Sequence, residues 1–266
     1  MGRNAAENRT RETDKLVAAK ELLRTTLRRL GYQVTRVRPP NRFEGMKETL
    51  TLLRNAGYMP RVVIDAGANC GSWAQMARAI FPGAAFHLVE PQPACADLLR
   101  KQAARSTGMT VHRVAVTKPG VKSVRVVGGG ATGDGTGARV AKEDETDFDE
   151  MECPATTLDD LLADEIGPDS RCLCKLDLER HELEALQGAA QLLLKVEVIL
   201  SEVSFYDINN RGDAIFSDML RFLGERNFEL YDVACLGARP RDMRLKMGDV
   251  VFVRRDSRLM EDNAWK

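Results

Sequence analysis

The sequence predicts an α/β fold in which a mainly parallel, seven-stranded sheet is covered by helices on both faces. From residue 61 onward, short β-branched runs alternate with stretches of helical periodicity. The strand runs are continuously apolar, as is typical of strands buried on both faces of a parallel sheet. The length of 266 residues allows one large α/β domain with an extension.

Seven segments have the pattern of strands, at residues 61–65, 85–90, 109–116, 171–178, 197–203, 227–233 and 249–255. Helices are predicted between them, at residues 72–81, 93–105, 183–195 and 213–226. The stretch 128–150 begins GGGATGDGTG and continues with strong negative charge. It is predicted to be irregular, either a solvated loop or a mobile flap over the active site.

Residues 1–45 are predicted to form a basic helical extension that precedes a domain at 46–266. They contain eleven Lys or Arg against five Asp or Glu. Leucines and an alanine recur at helical spacing between residues 12 and 30, and Pro39-Pro40 then breaks the chain. We expect this amphipathic helix to pack on the main domain or on a partner subunit, which would make a homo-oligomer.

Composition excludes several classes of protein. The 39 Lys and Arg equal the 39 Asp and Glu, which argues against a dedicated nucleic-acid binder. The apolar runs are too short to span a membrane, and the first residues lack the apolar core of a secretory signal. The six cysteines form no C-x-x-C pair, so we expect reduced thiols in a cytoplasmic protein.

The segment VVIDAGANCGSW is the most informative part of the sequence. In a doubly wound sheet, ligands lie outside the carboxyl ends of the strands, and glycines there let the backbone approach the ligand. Asp65 ends the first strand and suits a ligand with an ammonium group, whereas Glu90 ends the next and can bind both ribose hydroxyls. A nucleoside with an amino-acid tail, S-adenosylmethionine, is therefore predicted. The candidate cofactor-binding residues are Asp65, Gly67, Asn69, Gly71, Glu90, Pro91 and Ala115.

A dinucleotide site is the rival prediction, and it would make the protein an NAD(P)- or nucleotide-sugar-dependent oxidoreductase. That site needs G-x-G-x-x-G and a clear helix N-terminus for the pyrophosphate. Here Asn69 stands where the second close-approach glycine would be, and an acidic Asp65 is poorly suited to lie beside a pyrophosphate. The pattern favours S-adenosylmethionine.

The chain resembles the FkbM family of methyltransferases in three blocks that follow in the expected order. These are VIDAGANCGSWAQMA with HLVEPQPACADLLRK, then TTLDDLLADE, then CKLDLERHELEALQGAAQLL with VILSEVSFYD. The resemblance spans roughly residues 60–255. It implies a Rossmann-like class I methyltransferase fold and O-methylation, often of sugars or secondary metabolites. The chain departs from the family at Arg180, where the family usually has glycine, and His181 follows it.

Four ionisable residues are predicted to converge beside the cofactor turn, namely Asp177, Glu179, His181 and Glu202. Asp177 and Glu202 end neighbouring strands on the ligand edge, a position that packing explains poorly. One of these two acids, or His181, is expected to remove the proton of the acceptor hydroxyl. Alternatively, Asp177 and Glu202 hold Mg²⁺, which prefers carboxylate ligands. Lys175 is expected to pair with one of the acids.

Together these observations predict an S-adenosylmethionine-dependent O-methyltransferase. Its partner would be a small hydroxylated acceptor, a sugar or a natural product, rather than nucleic acid or membrane. Besides the oxidoreductase, one further alternative stays open. It is a methyltransferase-fold binding module that has lost its chemistry, and Arg180 in place of the family glycine is its main support.

Overall fold

A computed structural model of the chain describes residues 41–128, 137–142, 145 and 150–261, together with Leu27. The chain separates into two units, Met1–Pro40 and Asn41–Lys266, and the following account concerns the second. The predicted N-terminal helix at 12–30 lies outside the described residues apart from Leu27, which is helical. Most of the predicted loop or flap at 128–150 also lies outside them.

The described part of the chain contains eleven strands. In chain order they are β1 Val62–Ala66, β2 Ala85–Val89, β3 Met109–His112, β4 Ala115–Val116, β5 Ser123–Val127, β6 Arg139–Val140, β7 Met151–Thr156, β8 Cys172–Leu176, β9 Val196–Ser204, β10 Phe228–Ala238 and β11 Leu245–Arg254. Seven of them form one sheet in the order β10-β11-β9-β8-β1-β2-β3. Of the seven strands in this sheet, β11 alone is antiparallel to the others, so the sheet is mixed but mainly parallel. The predicted fold class is confirmed.

Helices cover both faces of this sheet. They are α1 Arg42–Asn55, α2 Ser72–Ile80, α3 Pro93–Ala103, α4 Glu182–Gln187 and α5 Phe216–Gly224. Alternate residues of β9 belong to two separate apolar clusters. Ile199 lies in a cluster with residues of α4 and α5, whereas Leu200 lies in one with residues of α1, α2 and α3. All nine residues of β9 are buried, as expected for a central strand, and they include the polar residues Glu197, Ser201, Glu202 and Ser204. No helix in the described part of the chain is long and apolar enough to cross a membrane.

The helix predicted at 183–195 is wrong in length. α4 ends at Gln187, and a separate 3₁₀ turn follows at Leu192–Leu194. Gly188 is the C-cap of α4, and glycine is needed there because a Cβ would lie 2.2 Å from the carbonyl oxygen of Thr117. The carboxylate of Asp159 then accepts hydrogen bonds from the backbone of Gln191, at 3.0 Å, and of Leu192, at 2.8 Å.

A second, four-stranded sheet was not predicted. It has the order β4-β7-β5-β6 and encloses a small apolar cluster that includes Val124, Val126 and Cys153. The strand predicted at 109–116 is therefore two strands, β3 in the main sheet and β4 in the second. Part of the segment predicted as irregular, at 139–140, is β6.

Helix α1 contains the residue at which the domain boundary is predicted, and that division of the chain stays a prediction. Asn41 caps the helix by accepting a hydrogen bond from the backbone N–H of Phe43 at 3.1 Å. The helix lies so close to β10 that a Cβ on Gly45 would be 2.2 Å from the carbonyl oxygen of Ala234. Glycine is therefore needed inside this helix.

We predict that Gly45→Ala destabilises the protein although alanine is the better helix former. The helical preference of about 1 kcal/mol for alanine is outweighed by overpacking against backbone, which costs about 1–3 kcal/mol. The control is Gly224→Ala at the end of α5, where an added Cβ meets nothing within 4 Å. Urea unfolding followed by circular dichroism should show a loss only for Gly45→Ala. Equal stability of the two variants would contradict the close approach.

Candidate functional site

A cavity of about 380 Å³ opens at the carboxyl ends of β1, β2 and β8. The second sheet closes one side of it through Val126 and Val140. Of the residues predicted from the sequence, eight line this cavity, namely Gly67, Asn69, Glu90, Pro91, Ala115, Asp177, Glu179 and His181. The other three, Asp65, Gly71 and Glu202, do not line it.

The turn after β1 brings two strands into close contact. The backbone N–H groups of Gly67 and Ala68 both donate to the carbonyl oxygen of Val89, each at 3.0 Å. Gly67 has a φ of +79°, and a Cβ there would lie 1.9 Å from the carbonyl oxygen of Asp177. No other residue fits this position, so the glycine fixes the floor of the cavity. Gly71 also favours glycine because its φ is +83°, and a Cβ there would come within 2.8 Å of the side-chain ends of Leu99 and Gln102.

Glu90 presents a fixed carboxylate to the cavity. One of its oxygens accepts a hydrogen bond from the backbone of Asn69 at 2.8 Å, and the other accepts one from the backbone of Gln92 at 2.9 Å. Burial raises the pKa of Glu90, and these two hydrogen bonds oppose the rise. The side chain of Gln92 is a further hydrogen-bond partner of this carboxylate. A carboxylate has about four acceptor sites, so Glu90 can still accept from a hydroxyl group in the cavity.

Asp65 lies beneath the cavity rather than in its wall. Its side chain is fully buried, and the ammonium of Lys175 is 2.9 Å from its carboxylate. The same ammonium donates to the carbonyl oxygen of Gly67 at 2.9 Å and is 3.6 Å from Asp177. The expected pairing of Lys175 with an acid is therefore seen. Asp65 is not placed to contact the ammonium group of a ligand, because its carboxylate is buried and already neutralises Lys175.

Arg42, at the start of α1, binds three carboxyl groups at once. Its guanidinium forms two hydrogen bonds of 2.7 Å with Asp249. It also lies 2.6 Å from Glu202 and 3.1 Å from Asp177. Planar guanidinium groups form such charge-assisted bonds well. Neither Arg42 nor Asp249 was singled out from the sequence, because a pair 207 positions apart has no local signature.

The predicted Mg²⁺ site does not fit this arrangement. Asp177 and Glu202 both turn toward Arg42, which supplies the positive charge that the ion would bring. Among the described residues, no three or more His, Cys, Asp or Glu side chains are grouped so that they could hold a metal ion. This expectation from the sequence is corrected accordingly.

The two acids differ in ionisation. Burial alone would raise the pKa of Asp177, but the charges of Lys175 and Arg42 outweigh it and hold the pKa below its ordinary value. Burial and the charge of Asp177 raise the pKa of Glu202 to about 9. At neutral pH, Asp177 is therefore a carboxylate in the cavity wall, and Glu202 is a protonated acid behind it.

The loop after β8 is held by an acid whose role was not recognised from the sequence. Glu179 and Arg180 have φ values of +52° and +79°, in the left-handed region. The buried carboxyl of Glu182 accepts hydrogen bonds from the backbone of Leu178, at 2.7 Å, and of Arg180, at 3.3 Å. Burial raises the pKa of Glu182 to about 8.

His181 lies where the cavity meets a second one. The second cavity has a volume of about 450 Å³ and shares the residues Arg139, Val140, Glu179 and His181 with the first. The Nε2 atom of His181 is 2.9 Å from the hydroxyl of Thr117. Burial lowers the pKa of His181 against the opposing charge of Glu184, so its ring is neutral at pH 7. A neutral imidazole can accept a proton at the junction of the two cavities.

Comparison with known proteins gave one family. The sequence model described as "Methyltransferase FkbM domain" matches residues 65–230. No curated protein matches the chain.

Solved structures are similar to this chain only at low sequence identity. The precorrin-6y C5,15-methyltransferase of Geobacter metallireducens GS-15 is 10% identical with a TM-score of 0.43, over 84% of this chain and 93% of that one. The N-methyltransferase NodS of Bradyrhizobium japonicum WM9, in complex with S-adenosyl-L-homocysteine, is 9% identical with a TM-score of 0.44, over 81% and 89%. The 1,6-didemethyltoxoflavin-N1-methyltransferase of Burkholderia thailandensis is 12% identical with a TM-score of 0.43, over 79% and 78%.

We predict that Glu202→Gln makes the protein less sensitive to alkaline pH. The pKa of Glu202 is raised from 4.5 to about 9 in the folded chain. Its contribution to stability is therefore complete below about pH 4.5 and is lost as the pH rises toward 9. Glutamine cannot ionise, so the variant should gain stability relative to wild type between pH 6 and pH 9, by up to about 1.4 kcal/mol per pH unit.

Urea unfolding at several pH values measures this difference. Glu225→Gln is the control, because that side chain is 68% exposed and lies on the surface after α5. It should follow wild type at every pH. Parallel curves for wild type and Glu202→Gln would show that Glu202 is ionised in the folded protein at neutral pH.

Proposed function

The chain belongs to the FkbM family of methyltransferases, and we propose that it transfers the methyl group of S-adenosylmethionine to a hydroxyl oxygen of a sugar or natural product. The resemblance recognised in the sequence is thereby confirmed. The family match leaves the oxidoreductase alternative without support. Cytoplasmic location, the absence of nucleic-acid binding and assembly through the N-terminal helix stay predictions from the sequence.

The first cavity fits the cofactor. Its volume of about 380 Å³ is within the range of small-molecule sites. The carboxylate of Glu90 suits a ribose hydroxyl, and the Gly67 turn leaves room for a ligand against the backbone. Asn69, Pro91 and Ala115 complete this wall. When bound, S-adenosylmethionine supplies an electrophilic methyl group on a sulfonium centre.

The observation that carries the proposal is the neutral imidazole of His181 where the two cavities meet. An attacking hydroxyl has to lose its proton, and the ordinary pKa of an imidazole lies much nearer to neutral pH than that of a carboxylate. Asp177 is ionised, but its lowered pKa makes it a weak base. We therefore assign proton removal to His181. Asp177 and Glu179 in the same wall would accept hydrogen bonds from the acceptor and orient it.

We predict that Glu90→Ala weakens binding of S-adenosylmethionine. The variant loses a charge-assisted hydrogen bond worth about 1.5–3 kcal/mol, or roughly 10- to 150-fold in dissociation constant. Calorimetry on the purified variant measures the change, and circular dichroism checks that it is folded. Glu225→Ala, on the surface, is the matched control. An unchanged dissociation constant for Glu90→Ala would refute the assignment of the first cavity.

We predict that His181→Gln lowers kcat by about 10²–10⁴-fold, the usual share of general base catalysis. The acceptor is found first, by screening metabolite extracts and activated sugars for methyl uptake from labelled cofactor. His87→Gln is the control, since His87 pairs with His112 away from the cavity. Cofactor affinity should stay unchanged in both variants.

Other outcomes of this experiment assign the chemistry differently. A loss of rate in Asp177→Asn with normal turnover in His181→Gln would make Asp177 the base. Full activity in both variants would place proton removal elsewhere. Binding of cofactor without transfer to any compound in the screen would favour the binding-module alternative.

A further inference from the structure

Two cysteines lie side by side at the edge of the first cavity, and the proposed reaction uses neither. Cys70 belongs to the turn after β1, is partly exposed and lines the cavity. Cys95 lies in the first turn of α3 and is buried. Their Sγ atoms are 3.8 Å apart, although the two residues are 25 positions apart in the chain. One thiol is therefore within reach of small molecules that enter the cavity, and the second lies directly behind it.

The position of Cys70 sets it apart from the other cysteines. All six cysteines lie in the described part of the chain, and of these Cys70 alone lines the first cavity or the second. Cys153, Cys172 and Cys174 are buried, and burial raises the pKa of Cys174 to about 12. Cys235 is partly exposed, on β10. Because oxidation of a thiol depends on access to it, Cys70 is the cysteine that an oxidant in the cavity would meet.

The two cysteines belong to the two segments that hold the carboxylate of Glu90. The backbone N–H of Asn69, the residue before Cys70, donates to one carboxylate oxygen at 2.8 Å. The backbone N–H of Gln92, the N-cap of α3, donates to the other at 2.9 Å. A bond between the two sulfur atoms would shorten their separation from 3.8 Å to about 2.05 Å. It would draw the turn toward α3 and so shift one of these N–H groups relative to the other.

The turn already lies in close contact with α3. The side chain of Gln102 donates to the carbonyl oxygen of Cys70 at 3.0 Å. Beside Gly71, a Cβ would come within 2.8 Å of Leu99 and Gln102. A cross-link at Cys70 would therefore distort the turn, because no empty gap lies between the turn and the helix at these points.

We propose that Cys70 and Cys95 form a thiol pair that hydrogen peroxide oxidises to a disulfide, and that this disulfide weakens binding of the cofactor in the first cavity. The second part rests on the proposed function. The sulfur of Cys70 attacks one peroxide oxygen, so an S–O bond forms, the O–O bond breaks and the other oxygen leaves as water with the thiol proton. The sulfur of Cys95 then attacks the sulfur of Cys70. The S–S bond forms, the S–O bond breaks, and a second water leaves with the proton of Cys95. Two thiols are oxidised and one peroxide is reduced to two waters.

Mass spectrometry of the full chain tests the thiol pair. Protein without cofactor is treated with hydrogen peroxide, then denatured in iodoacetamide and digested. We expect a disulfide between the peptides of Cys70 and Cys95, both in wild type and in the control Cys235→Ser, which removes the other partly exposed cysteine. In Cys95→Ser, Cys70 has no thiol to pair with here and should be recovered as sulfinic acid. Wild type in which both cysteines are still alkylated, or in which Cys70 reaches sulfinic acid without pairing, would overturn the proposal.

Calorimetry with S-adenosylhomocysteine tests the effect on the cofactor site. We expect the dissociation constant of wild type to rise by about tenfold or more after peroxide, a usual size for coupling between two sites. Dithiothreitol should restore it, because this reagent reduces a disulfide but not methionine sulfoxide. In Cys70→Ser, the dissociation constant should be the same before and after peroxide, whereas Cys235→Ser should behave like wild type.

Two results would contradict the effect on the cofactor. They are equal affinity of the reduced and oxidised wild type, and a loss of affinity in Cys70→Ser that matches wild type. Failure of the proposed function looks different, because the reduced chain would then not bind S-adenosylhomocysteine at all. The mass spectrum decides in that case whether the disulfide forms.

Discussion

The buried ammonium of Lys175 is the constraint on which the site depends. It lies in β8, whose five residues are all buried, so water cannot solvate its charge. Asp65 supplies the balancing charge from β1, and the carbonyl oxygen of Gly67 supplies a second partner. Losing one member of such a buried pair costs about 3–5 kcal/mol. This buried ion pair therefore holds the ends of β1 and β8 together and orients the turn that forms the floor of the first cavity.

The same charge organises the acids at the sheet edge. Among the residues that the structure describes, Asp65, Asp177, Glu202 and Asp249 pair with two cations, Lys175 and Arg42. Four negative charges against two would repel strongly in a buried site, so one acid keeps its proton, and the most crowded, Glu202, is that acid. Arg42 and Asp249 both lie outside residues 65–230, which the family model matches. The electrostatics of the site therefore depend on flanking segments as well as on the matched domain.

The sequence predicts the structure correctly where a local pattern is compatible with one structure only. Alternating strands and helices, a glycine turn after β1 and an acid after β2 place Gly67 and Glu90 at the ligand edge without further information. The pattern could place Asp65 at the end of a strand, but it could not tell whether its carboxylate faces the ligand or a buried lysine. The second sheet was missed because its strands are short and β7 contains Pro154, which normally argues against a strand. Arg42 was missed because its partners are distant in sequence.

Arg180 connects the departure from the family pattern to the second cavity. A left-handed backbone conformation, which glycine adopts freely, costs another residue about 1–2 kcal/mol. Here the carboxyl of Glu182 binds the backbone on both sides of the turn, which offsets the strain. The side chain of Arg180 reaches Asp213 and adds a guanidinium to the wall of the second cavity. A glycine at this position cannot supply that charge. The substitution therefore keeps the shape of the loop beside His181 and changes the charge of the second cavity's wall.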